Sequence, residues 1–165
     1  MNKAPIFDCI DPHTVGNLVP LVKGPRPNLV GKNMMEKRLH FLGEFDWIRK
    51  GLMFEPRGHD MISGSFYFEP CEPQNGVAIL FIETSGCLPM YGHVLIGTMT
   101  ILLQEKLIQP KVEDKVRVET PAGLVEVNYK KDGDKVTAIR FKKHSQLSGI
   151  DRWKNKASSF GRTQF

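Results

Sequence analysis

The segment Thr84-Ser85-Gly86-Cys87-Leu88-Pro89-Met90-Tyr91-Gly92-His93-Val94 is the part of this chain best equipped for chemistry. It joins a continuous apolar run, Val77 to Ile82, to an apolar helical pattern that begins near Gly92. An interior strand therefore feeds a loop, and the loop feeds the N-terminus of a buried helix. The first N–H groups of a helix lack intrahelical acceptors, and that end carries partial positive charge. The N–H groups of Gly92, His93 and Val94 would thus hold a carboxylate or phosphate, with the side chain of residue 91 beside it. The alternative is a plain turn whose N–H groups meet water or Thr84 and Ser85. His93 alone reads either as part of the site or as a histidine satisfied by a backbone carbonyl. Cys87 could be a nucleophile, but a lone cysteine beside an apolar strand is expected to pack in the core. Arg57-Gly58-His59-Asp60 is the second dense set. It is either a functional loop or one in which Arg57 pairs with Glu55 or Asp60.

The elements that must position these groups are legible in outline. Ile6 to Ile10 and Leu18 to Val22 read as strands around a polar turn, Asp11 to Asn17. Gly24 to Asn28 is a loop with two prolines. Asn33 is an N-cap, and Glu36 sits where a capping-box carboxylate belongs. Met35, Leu39, Leu42, Phe45, Ile48 and Leu52 recur at three- and four-residue steps, which predicts one buried helical face. Ser63 to Phe68 and Val77 to Ile82 read as strands. The helix from Gly92 carries Val94, Leu95, Ile96, Met99, Leu102, Leu103 and Leu107, apolar nearly all round, and should lie inside the domain. Lys115 to Glu119, Leu124 to Tyr129 and Lys135 to Phe141 are three further strands, the last two joined at Asp132-Gly133. The whole is a strand-rich α+β fold around one central helix.

The chain has 165 residues, 41% hydrophobic and 25% charged, the composition of an ordinary globular domain. No apolar run approaches the roughly 18 residues of a membrane span, and Met1 to Thr14 shows no secretory signal pattern. Cys9, Cys71 and Cys87 are too few and scattered for a disulfide framework or a CxxC metal site. The expected setting is cytoplasmic. The net charge of +5 invites thought of nucleic acid. Yet Lys142, Lys143, Arg152, Lys154, Lys156 and Arg162 against Asp151 account for all of it. The first 140 residues hold seventeen basic and seventeen acidic side chains, so the body is neutral.

Several runs resemble the proline racemase family. They are Met53-Phe54-Glu55-Pro56-Arg57-Gly58-His59-Asp60-Met61, then Leu80-Phe81-Ile82-Glu83-Thr84-Ser85-Gly86-Cys87-Leu88-Pro89-Met90 followed by Gly92-His93, and Thr120-Pro121-Ala122-Gly123-Leu124-Val125. Asp11-x-His13-Thr14 and Met34-Met35-Glu36-Lys37-Arg38 match as well. The resemblance runs from about residue 5 to Phe141 and is strongest to the 4-hydroxyproline 2-epimerases. It implies residues 1–141 as a first lobe of the diaminopimelate-epimerase-like fold, strands wrapped around a central helix, with 142–165 a basic tail outside the pattern. It implies a cofactor-independent amino-acid isomerase without a metal, acting on hydroxyproline or proline. In such enzymes a cysteine at the helix N-terminus of each lobe faces one side of the substrate α-carbon. One thiolate removes the α-proton and the opposing thiol returns it. Gly92 and His93 match the carboxylate-binding positions, and position 91 matches the first-lobe cysteine.

Here position 91 is Tyr. A thiol ionises near pH 8.5, lower at a helix N-terminus, whereas free phenols ionise near pH 10 and are only about 0.1% phenolate at pH 7. Tyr is also bulkier and would take space meant for the substrate ring. Cys87 belongs to the family pattern as a separate residue and is no substitute base. Val94 stands where the family has a small residue. Leu18 and Pro20 stand where it has Pro and Arg, and Val15 departs too. After Phe141 the resemblance stops, so the second-lobe cysteine has no counterpart, as expected of a truncated or frame-shifted member. The chain alone is then expected to be impaired or inactive. The competing expectation is a non-catalytic carboxylate-binding module, or a half-enzyme that needs a partner lobe. An active face left uncovered would favour a homodimer. In the tail, Leu147, Ile150, Trp153, Ala157 and Phe160 fall at helical steps among basic residues. That stripe could meet nucleic acid or a membrane, but the expected reading is neither: it covers apolar surface or stays unstructured, since Gly149 and Gly161 weaken a helix.

Overall fold

The computed structural model describes residues 5–143, so the amphipathic pattern of Leu147 to Phe160 lies outside the described residues. The order is β1 (Asp8–Ile10), β2 (His13–Thr14), β3 (Asn17–Leu18), β4 (Leu21–Gly24), α1 (Met34–Glu44), α2 (Asp46–Met53), β5 (Ser63–Phe68), β6 (Val77–Glu83), α3 (Gly92–Gln104), β7 (Lys115–Thr120), β8 (Gly123–Asp132) and β9 (Lys135–Lys143). Seven strands form one mixed sheet in the order β1-β4-β5-β6-β7-β8-β9, while β2 and β3 make a separate ribbon. β4 and β5 are parallel, as are β6 and β7; the other neighbours are antiparallel. This is the expected α+β lobe with strands wrapped around a central helix.

β6 is the middle strand, and its alternation explains the layers. Val77, Ile79 and Phe81 join the cluster that contains Val94, Leu95, Met99 and Leu102 of α3. Ala78, Leu80 and Ile82 join the cluster that contains Met34 and Phe41 of α1 and Ile48 and Leu52 of α2. A strand covered on both faces is apolar throughout, as the run from Val77 to Ile82 requires. α3 is likewise buried on several sides, at Val94, Leu95, Gly97, Thr98, Met99, Leu102 and Leu103. A buried bond of 2.7 Å between the Thr98 and Ser65 hydroxyls ties its middle to β5, and its last turn bonds to β8 and β9 through Lys131 Nζ to the Leu103 carbonyl and the Val136 N–H to Gln104 Oε1.

Three elements differ from the sequence expectation. The stripe from Met35 to Leu52 is not one helical face. The helix breaks at Phe45, whose φ of −124° and ψ of 9° end α1 and start α2. Within α1 the buried residues are Met34 and Phe41, while Met35 and Leu39 of the expected stripe are exposed, because packing on the sheet selects a different face. The Asn33 cap is present: its side chain accepts from the Glu36 N–H at 2.9 Å. Glu36 reaches one residue further back than a capping box, to the Lys32 N–H. The strand expected from Leu18 to Val22 is split, because Pro20 has no N–H to give a ladder. Its carbonyl instead accepts from Ser65 N–H at 2.9 Å where the chain passes from the ribbon to the main sheet. The first strand is shorter than expected, and Ile6 is exposed.

The ribbon turns through Val15 and Gly16, both with positive φ, 51° and 84°. Two positive φ values are the signature of the tight hairpin turn that favours Asn-Gly. A β-branched residue is strained there. Val15→Asn is therefore expected to stabilise the fold by about 1 kcal/mol, read as a higher urea midpoint at unchanged slope.

The loop before β6 is fastened by Glu119 of β7. Its carboxylate accepts from the Cys71 N–H, the Glu72 N–H and the Asn75 amide at 2.7–2.9 Å. Desolvation, the largest single influence, pushes this carboxyl upward, but the donated bonds together outweigh it and hold it below the ordinary carboxylate range. A lowered carboxyl contributes stability that is present above its unfolded value, near pH 4.3, and lost as pH falls through the folded value. Glu119→Gln should cost about 1–3 kcal/mol at neutral pH and flatten the acid limb of a stability–pH curve. An unchanged acid limb would show that the loop is held by other means.

Candidate active site

α3 opens with no side-chain cap. Tyr91 is its N-cap residue, in extended conformation, and its side chain makes no cap bond. The first helical bond runs from the Leu95 N–H to the Tyr91 carbonyl at 2.9 Å. The N–H groups of Gly92, His93 and Val94 therefore point out of the helix end without helical acceptors. Ser85 does not fill that role, since its hydroxyl donates to the Glu83 carboxylate. The end of α3 is the uncapped, partly positive feature expected of an anion site.

Around it the structure brings together residues far apart in sequence. His93 Nε2 lies 3.0 Å from Asn17 Nδ2 of the ribbon, so the amide donates and Nε2 accepts, with the proton on Nδ1. Burial pushes the His93 imidazole below its ordinary value, which favours this neutral form. The Tyr91 ring meets the His93 ring edge-on, with centroids 4.9 Å apart. Gly92 faces Phe141 of β9: a Cβ there would come within 2.9 Å of Phe141 Cζ. Gly97, one turn on, faces Thr14 and Val19, and a Cβ would meet Thr14 Oγ1 at 2.8 Å. Two glycines thus let the ribbon and β9 close on the first turns of α3. Tyr91, Gly92 and His93 are all half-buried, while Val94 is buried.

Cys87 is a core residue, 2% exposed, in the cluster on the α1–α2 side. Burial is the main reason its thiol is pushed up to about 12. A thiol that stays protonated at neutral pH is no base or nucleophile. Arg57 pairs with neither Glu55 nor Asp60. Its guanidinium donates to both oxygens of Asp11, at 2.8 and 2.9 Å, tying the loop to the β1–β2 turn. His59 turns inward on its own loop and accepts from the Met61 N–H. His59 and Asp60 border an open cleft of about 300 Å³ with Met53, Phe54, Glu55 and Thr84. Among the described residues no group of three or more His, Cys, Asp or Glu could hold a metal ion. Among them, too, no helix is long and apolar enough to cross a membrane.

Sequence reasoning missed Asn17 and Phe141 as neighbours of the α3 end. Neither carries a local signal, because Asn17 is 76 residues from His93. It also missed how the β6–α3 loop is held. Arg49 donates to the Glu83 and Thr84 carbonyls, and Arg38 to the Cys87 carbonyl.

With this geometry in view, the likenesses to known proteins are specific. The family model for proline racemase matches residues 9–149. The 4-hydroxyproline epimerases of Brucella ovis and Brucella canis are each 58% identical to this chain over 134 residues, which is 81% of this chain and 40% of theirs. The chain thus spans about two fifths of the length of the curated relatives it matches. Among solved structures, a hydroxyproline epimerase from Agrobacterium vitis with bound trans-4-OH-L-proline superposes with a TM-score of 0.73 at 21% identity. That match covers 82% of this chain and 40% of the other. A probable proline racemase from Agrobacterium radiobacter K84 with bound carbonate also gives 0.73, at 23% identity, over 82% and 41%. At those identities the superpositions speak for the fold.

Proposed function

Because this chain belongs to the proline racemase family, we propose that it is the first lobe of a 4-hydroxyproline epimerase-type isomerase that keeps the carboxylate site and lacks the base. The observation that carries this reading is the uncapped end of α3, with Gly92 and His93 presenting N–H groups beside a tyrosine. The names of the relatives support hydroxyproline or proline as the substrate class. In this reading the substrate carboxylate accepts from the Gly92 and His93 N–H groups, where the helix end adds favourable electrostatics. His93 is held in place by Asn17 and contributes its backbone N–H. The α-carbon then lies beside residue 91. A thiolate there would take the α-proton; residue 91 supplies no thiol, and its ring fills part of the space. No cofactor enters the step.

Calorimetry on the full chain with proline, trans-4-hydroxyproline and pyrrole-2-carboxylate tests the site. Heat that saturates at millimolar ligand is the expected result, and no heat would overturn the retained carboxylate site. The same ligands in heavy water test the missing base. Deuterium at the α-carbon should appear no faster than in buffer, and turnover above buffer would overturn the loss of the base.

The second reading is a half-site completed by another lobe, which could be a second copy of the chain. It is favoured by the half-exposure of Tyr91, Gly92 and His93, which leaves one side of the ligand uncovered.

A further inference from the structure

We propose that Arg49 and Arg38 are positioning residues for the α3 end, acting through the β6–α3 loop; the inference rests on the carboxylate site proposed above. Residues 84–91 join β6 to α3 and end in the cap residue Tyr91. Arg49 lies in α2 and is buried, 6% exposed. Its planar fork is used at both ends. Nε and Nη2 donate to the two oxygens of Asp46 at 2.6 and 3.1 Å, and Nη1 donates to the Glu83 and Thr84 carbonyls at 2.8 and 2.7 Å. Arg38 of α1 donates from Nε to the Cys87 carbonyl at 2.7 Å. On another side, the Ala122 N–H of the β7–β8 turn donates to the Pro89 carbonyl at 3.0 Å.

Three loop carbonyls, at residues 84, 87 and 89, and that of Glu83 at the end of β6 are therefore fixed by donors from three other elements. Only Met90 separates the last of them from the cap. Stability alone does not call for this arrangement, since a buried ion pair often stabilises no better than apolar packing. What a guanidinium supplies is geometry: one rigid plane that sets two carbonyls relative to a carboxylate. A lysine is a point charge and cannot hold all three acceptors in register. The helical layer on one face of the sheet thereby sets the direction of the N–H groups at the start of the helix on the other.

The test compares Arg49→Lys with Phe41→Leu, which loosens the same helical layer but removes no hydrogen bond to the loop carbonyls. Both are made in the full chain and measured where they remain folded. The readouts are calorimetric affinity for proline and the amide resonances of Gly92, His93 and Val94. Arg49→Lys is expected to weaken proline binding about tenfold and to move those resonances, because small misplacements of binding groups are costly. Phe41→Leu is expected to lower stability and leave both readouts within twofold of the parent. Arg49→Lys binding proline as tightly as the parent would overturn the proposal. If the parent takes up no proline, the carboxylate reading fails by itself, and the resonances decide the clamp. Movement in Arg49→Lys but not in Phe41→Leu supports it, and no movement overturns it. Should Arg49→Lys not fold, Arg38→Lys is judged by the same readouts.

Discussion

Phe81→Ala is expected to remove about 3–5 kcal/mol of stability, enough to leave much of the chain unfolded at room temperature. Phe81 is fully buried in β6, on the face that packs against α3. Truncation removes the transfer energy of the ring and leaves a cavity between sheet and helix. The surroundings cannot close it easily, since β6 is held by β5 on one side and β7 on the other. Urea unfolding followed by circular dichroism measures the loss. A cost below about 1.5 kcal/mol, the range of a volume-conserving swap, would show that α3 is not seated on β6 as described.

Tyr91→Cys is expected to raise α-proton exchange of trans-4-hydroxyproline in heavy water about 10²-fold over the parent chain, the low end of a general-base contribution. The low end applies because the α3 end is half-exposed, so water weakens the electrostatics of the site. A cysteine here would sit at an uncapped helix N-terminus, where the thiolate is favoured. One base is enough for exchange on one face, with deuterium returned from solvent to the side that lost the proton. Exchange without epimerisation is therefore the specific expectation, read as loss of the α-proton signal with retained configuration. Tyr91→Cys exchanging no faster than the parent would mean that residue 91 does not face the α-carbon in this lobe.

The position of the candidate site along the chain was legible because local chemistry marks it. An interior apolar strand, a Gly/Pro loop and an apolar helix place a helix start near Gly92, and the structure decided that this end has no side-chain cap. The capping residue Asn33 and the hairpin at Gly133 were legible for the same reason. The helical stripe from Met35 to Leu52 misled. Its period could not reveal the break at Phe45, and the face that is buried follows from packing on β6. The Leu18–Val22 strand misled less: Pro20 announced the break, and only the sheet showed where the chain went next.

Sequence alone therefore determined which residues stand at the α3 end, that residue 91 is a tyrosine, and that excess charge lies outside the neutral body. These are properties of single positions or short spans. The tertiary structure decided what meets that end: Asn17 on His93, Phe141 on Gly92, Asp11 on Arg57, and the arginines of α1 and α2 on the loop. Such contacts join residues tens of positions apart. Their partners are selected by sheet order and by which face of β6 each helix covers, and no short-range pattern encodes either.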